Sequence, residues 1–175
     1  MENKISSPAN DTIYYNISRP LGWDDFKGVP DYNNPGGAIA ASGFAFTANM
    51  NMIGKDIYLN VGIYTFFSKK NSWKKPNINS NYHLLHEQHH LDITRISAEK
   101  FLNDLSEANF TVNNYNKLLS SLFNKAFDEN TAIQKKYDNE TRHSINTSEQ
   151  LKWNDKIVQE IKSITNNRYP ATSIR

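Results

Sequence analysis

Four of the five histidines in the chain fall in "HLLHEQHH", residues 83–90, around the single glutamate Glu87. Within it His86, Glu87 and His90 fit the pattern H-E-x-x-H. On a helix His86 and His90 stand about one turn apart on the same face, so both imidazoles reach one cation. Glu87, one residue round the helix, is placed to touch a water on that cation without competing as a ligand. Zinc lowers the pKa of such a water to about 7, and a carboxylate beside it takes the proton as the water attacks a carbonyl. That is hydrolase chemistry. The competing reading is a solvated or core cluster of histidines, because a pattern with three fixed positions also arises by chance.

One helix cannot turn all four histidines onto one ion. His83, a turn before His86, is expected at the rim, and His89, toward the other side, at a partly exposed surface. Asp92 lies two residues past His90, about 200° round the helix, and is expected to bond to backbone or to a basic group. A catalytic zinc takes three protein ligands and keeps a fourth position for water, so a further ligand must come from elsewhere in the chain. His143 is favoured as the only histidine outside the cluster, with Asp138 and Glu140 in the same expected loop as competitors. Glu99 and Asp104 are disfavoured by distance, Glu99 lying about 13 Å along the axis from His90. Tyr137 is a candidate second catalytic group, its phenol donating to a developing oxyanion, with packing as the alternative use.

These residues need a scaffold. "WDDFKGVPDYNNPGG" has the Gly, Pro, Asn and Asp density of loops, so little regular structure is expected before residue 38. "AIAASGFAFTANM" and "DIYLNVGIYTFF" then read as an antiparallel hairpin turning between Asn51 and Lys55, with Ile57, Leu59, Val61, Ile63 and Thr65 on one face. Ser80 or Asn79 caps a helix that carries the histidines and runs to about Leu105. A second helix is expected from about Asn114 to Tyr137. A third opens on a capping box formed by Thr147 and Gln150. Strands first and helices afterwards predict an α+β fold, a small N-terminal antiparallel sheet followed by three helices. The expected organisation is an irregular segment 1–20, one domain 21–165 and a tail 166–175.

Composition narrows the chemistry further. The 175 residues are 38% apolar and 22% charged, ordinary values for one globular domain. A formal charge of +2, with lysines spread along the chain, gives no basic stripe for a phosphate backbone, so nucleic acid is not an expected partner. No run is long enough to cross a bilayer. Cysteine is absent, which removes disulfides, thiolate catalysis and cysteine-ligated metals, so any metal rests on His, Asp or Glu. The first residues lack a signal-peptide pattern, but a chain whose signal has been removed reads the same way.

In order and spacing, "LGWDDFKGVPD", "SW" followed by "KKP", "LLHEQHHLDI", "YDNETRH" and "QLKW" resemble the bacterial family catalogued as domain of unknown function 922, whose members are predicted zinc-dependent proteases. The likeness runs from about Leu21 to Ile157 and is most specific at HEQ-x-H-x-D. It implies a zincin-like domain with one Zn2+ per chain, with His86 and His90 as ligands, a histidine at position 143, and Glu87 as the catalytic carboxylate. It also implies export to the periplasm, envelope or medium; a cytoplasmic location stays open. The family usually has glycine after YD-x-x-T-x-H, where this chain has Ser144.

The sequence therefore reads as a zinc-dependent metallopeptidase acting on a peptide or protein, with the peptide along the edge of the 57–67 strand. The alternative is a non-catalytic zincin-like binding or envelope-associated module. Retention of Glu87 favours the enzyme, since a structural zinc has no use for a carboxylate there.

Overall fold

A computed structural model describes residues 11–54, 56–166 and 173–174. The expectations for the first ten residues and for most of the 166–175 tail lie outside the described residues. The fold is α+β, as expected. A hairpin of β3 (Ser42–Ile53) and β4 (Asp56–Ser68) is its spine, after the short strands β1 (Thr12–Tyr14) and β2 (Ala38–Ile39). β5 (Trp73–Lys74) pairs with β2, and three helices follow: α1 (Asn81–Glu107), α2 (Tyr115–Thr141) and α3 (Thr147–Asn166). A last strand, β6 (Ser173–Ile174), pairs with β4.

The hairpin register runs from Ser42 opposite Phe67 to Ile53 opposite Asp56. Gly54 turns the chain between them at φ +64°, where a residue without Cβ is favoured. Alternation along β4 buries Leu59, Val61, Thr65 and Phe67, the face read from the sequence. Two expectations are corrected here. Residues 12–14 are not an irregular leader: β1 pairs with residues 66–68, and Ile13 is buried with Leu21, Phe26, Phe67 and Leu91. β4 is not an edge strand either, because β3 lies along one side of it and β1 and β6 along the other. An extended peptide thus has no open β4 edge along residues 66–68 or 59–60.

α1 is the element that every layer touches, packing on β3 and β4 and against α2 and α3. Ser80 caps it, its Oγ accepting from the His83 amide at 3.2 Å. Its second half is conventional core. Ala98, Phe101 and Leu105 are wholly buried, and Phe101 sits among the rings of Phe44, Phe46 and Phe123. Truncating such a phenylalanine to alanine costs about 3–5 kcal/mol. The first half instead buries His86, Glu87, His89 and Asp92. Burying polar side chains is unfavourable unless each finds a partner, so where those partners come from defines the site.

Candidate metal centre

α2 supplies the partner that α1 lacks. The sequence reading ended α2 near Tyr137 and placed Asp138 in a loop, but the helix continues to Thr141. Asp138 therefore sits in its last turn, one turn beyond Gln134 on the same face, and that face lies against α1. Asp138 Oδ1 is 3.2 Å from His86 Nε2 and 3.1 Å from His90 Nε2. Two ligand atoms on a tetrahedral zinc, each bonded at about 2.0–2.1 Å, stand about 3.3 Å apart, close to these separations. Among the described residues, His86, His90 and Asp138 form the group able to hold one ion, their ligand atoms all within 4.8 Å of one another.

His143, the favoured third ligand, comes to the edge of this group. Its Nδ1 is 3.3 Å from Asp138 Oδ1, and its side chain is 39% exposed. It lies outside the compact set, so the nearest third donor to the two histidines is the competitor Asp138. The backbone explains the approach. Arg142, His143 and Ser144 all have positive φ (50°, 51° and 71°), a left-handed turn that folds the chain back over the end of α2. Non-glycine residues adopt it at a cost of roughly 1–2 kcal/mol each. Ser144 thus sits in a backbone conformation that favours glycine. The other competitors are engaged elsewhere: Glu140 accepts from Trp153 Nε1 at 2.9 Å, Glu99 pairs with Arg95 and Asp104 with Lys125.

Glu87 is 5% exposed beside this group, and its Oε2 is buried with no hydrogen-bond partner, while the backbone of Ala40 bonds to the carboxylate. Burial pushes its pKa up to about 7, with Asp138 adding to the rise and His90 and the Ala40 bond opposing it. Burial also lowers the His86 imidazole. At His90 burial acts in the same direction, but hydrogen bonding to Asp138 and the charges of Glu87 and Asp138 outweigh it and raise the pKa to about 9. Burial alone would raise Asp138; bonds from both histidines hold it far below the usual carboxylate range instead. Asp138 and the imidazoles thus favour one another's charged forms, while burial disfavours the charge on Glu87.

Tyr137, the candidate oxyanion donor with packing as its alternative use, packs against both imidazoles. It is wholly buried, stacked on the His86 ring at 4.6 Å between centroids and edge-on to His90. Its hydroxyl donates to the His86 carbonyl at 3.4 Å and accepts from Gln150 Nε2 at 2.7 Å, so it is committed to protein groups rather than to a reacting carbonyl. Gln150 is likewise no cap. Asn146 opens α3, its Oδ1 accepting from the Glu149 amide, and Gln150 is 1% exposed with Oε1 2.9 Å from His86 Nδ1. Gln134 stands in the same relation to His90, Oε1 to Nδ1 at 2.5 Å. Sequence reading took Gln150 for a helix cap and did not single out Gln134, whose one available signal was that it precedes Asp138 by one helical turn.

His83 is half-buried in the first turn of α1 and bonded to Ser80. His89 is buried rather than exposed, its Nδ1 3.0 Å from Asp92 Oδ2. Asp92 also accepts from Gln88 and bonds to Tyr15, whose pKa burial and that carboxylate both raise, so its role is structural as expected.

Compared with protein-family models, with curated proteins and with solved structures, the chain finds no match in any of the three. Among the described residues no helix is long and apolar enough to cross a membrane.

Proposed function

We propose that the protein is a zinc-dependent hydrolase of peptide bonds, with His86, His90 and Asp138 as ligands and Glu87 as general base. One observation carries the reading. A buried glutamate with a free carboxylate oxygen adjoins a His–His–Asp set compact enough for one cation. Zinc at that place supplies Lewis acidity, polarising a carbonyl and making water a nucleophile near neutral pH. Glu87, with its pKa near 7, accepts the proton released as water adds to the carbonyl and then returns it to the leaving amine. The Ala40 amide steadies one end of that carboxylate and leaves Oε2 for the proton. His143, partly exposed beside Asp138, is a second-choice ligand. The preference for peptide bonds, and export from the cytoplasm, rest on the family resemblance.

Metal analysis of protein purified without a nickel column, paired with hydrolysis of casein or a peptide library, tests the proposal. About one zinc per chain together with turnover is the expected result. A chain without zinc, or turnover indifferent to chelation, overturns it. The second reading, a non-catalytic metal-holding module, is favoured by the closure of the site, where His86 is 3% and Glu87 5% exposed. Zinc bound without turnover on any peptide selects it.

A further inference from the structure

Two buried glutamines contact the outer nitrogens of the candidate ligands, and their hydrogen-bond partners determine which way each amide points. Gln134 Nε2 lies 2.8 Å from the His90 carbonyl and 2.9 Å from Thr94 Oγ1. A carbonyl oxygen only accepts, so the NH2 end faces it and Oε1 is left toward His90 Nδ1. Gln150 is oriented by the same logic through one intermediate. Tyr137 donates its hydroxyl proton to the His86 carbonyl, so its oxygen accepts from Gln150 Nε2, which also donates to Asn154 Oδ1 at 2.7 Å. Its Oε1 then faces His86 Nδ1. Each glutamine is therefore aligned by the backbone carbonyl of the histidine whose ring it holds, directly at His90 and through Tyr137 at His86.

Two acceptors cannot share a hydrogen bond without a proton between them, so each Nδ1 carries hydrogen. The same rule applies at Nε2, which faces the carboxylate oxygen Asp138 Oδ1 on both rings: a proton or a cation must lie between them, and with Nδ1 already protonated the Nε2 position is the one a cation can take. We propose that Gln134 and Gln150 are positioning residues that lock His90 and His86 in the Nδ1–H form, so that both Nε2 atoms are presented to a divalent cation. This rests on the metal reading for its purpose but not for its geometry. The choice of an amide has a chemical consequence. A carboxylate in the same place would also hold the tautomer, but would push more electron density onto the ring and make the ligand more basic. An uncharged amide fixes the ring while leaving the cation more electron-poor.

The test uses full-length protein with nitrogen-15-labelled histidine and the variants Q134L, Q150L, Q134E and Q150E. In the metal-free wild type, long-range proton–nitrogen correlations should show Nδ1 protonated on both rings. Q134L should lose that signature at His90 alone and Q150L at His86 alone. Each should weaken zinc binding, measured by competition with a chromophoric chelator, by about ten- to a hundredfold. The glutamate variants should keep the Nδ1–H signature and bind zinc at least as tightly as wild type. They carry the test wherever a leucine variant fails to fold. A ring with an unprotonated Nδ1 in the metal-free wild type, or leucine variants with unchanged spectra and affinity, overturns the assignment. Nδ1–H at both rings in a chain that binds no zinc upholds the tautomer lock and overturns the metal reading instead.

Discussion

α1 carries two histidine–aspartate clusters on different sides, made of the same residue types with opposite outcomes. On one side His89 bonds to Asp92 three residues along the same helix, and Gln88 bonds to the same carboxylate. That arrangement is local. One nitrogen of His89 is used, Nε2 is buried without a partner, and no second imidazole turns toward it among the bonds formed there. On the other side His86 and His90 receive their aspartate from α2 and their glutamines from α2 and α3. There the two Nε2 atoms converge on one carboxylate oxygen. A helix can pair a histidine with its own carboxylate, but bringing one carboxylate against two of its histidines takes another element.

The comparison breaks most sharply by deletion. The double variant His86→Ala, His90→Ala should bind no zinc by metal analysis, whereas His89→Gln should keep about one zinc per chain; zinc loss in His89→Gln would erase the distinction between the two sides. The next largest effect separates the donors at the converging side. Asp138→Asn should weaken zinc binding by orders of magnitude and His143→Ala by less, as read by chelator competition. The reverse order would make His143 the third ligand, the choice read from the sequence.

Glu87→Gln keeps the side-chain size and removes the base. Zinc content should be unchanged while peptide turnover falls by at least about a hundredfold, the scale of a lost general base. Equal turnover would exclude Glu87 from the chemistry. On the local side, Asp92→Asn weakens three bonds at once and should lower stability by about 1–3 kcal/mol in urea unfolding, leaving zinc affinity untouched. The smallest effect sits at the turn that carries His143. Ser144→Gly relieves a positive φ and removes a buried, unpartnered hydroxyl, and should raise stability by about 1 kcal/mol. A loss of stability there would show that the serine side chain supports the turn.

Much of the fold was legible because its signals are local. The alternation of Leu59, Val61 and Thr65 against Asn60, Gly62 and Tyr64 marked β4 and its buried face, and Gly54 marked the turn. Ser80 marked the start of α1. β1 was missed because three residues carry too little pattern, and it exists through its pairing with Phe66–Ser68. The end of α2 was placed too early because "YDNETRH" is polar enough to read as loop; packing of Tyr137 and Thr141, both wholly buried, holds it helical.

The sequence by itself determined that His86 and His90 share a helical face with Glu87 beside them, because a 3.6-residue repeat makes that a matter of spacing. It also determined that any metal here rests on nitrogen and oxygen donors, because the chain has no cysteine. Only the tertiary structure decided that Asp138 lies against both imidazoles, that Tyr137 stacks on His86, and that Gln134 and Gln150 contact the outer ring nitrogens. Those contacts span 44 to 64 positions of sequence. No local pattern encodes the distance between two helices; their packing sets it.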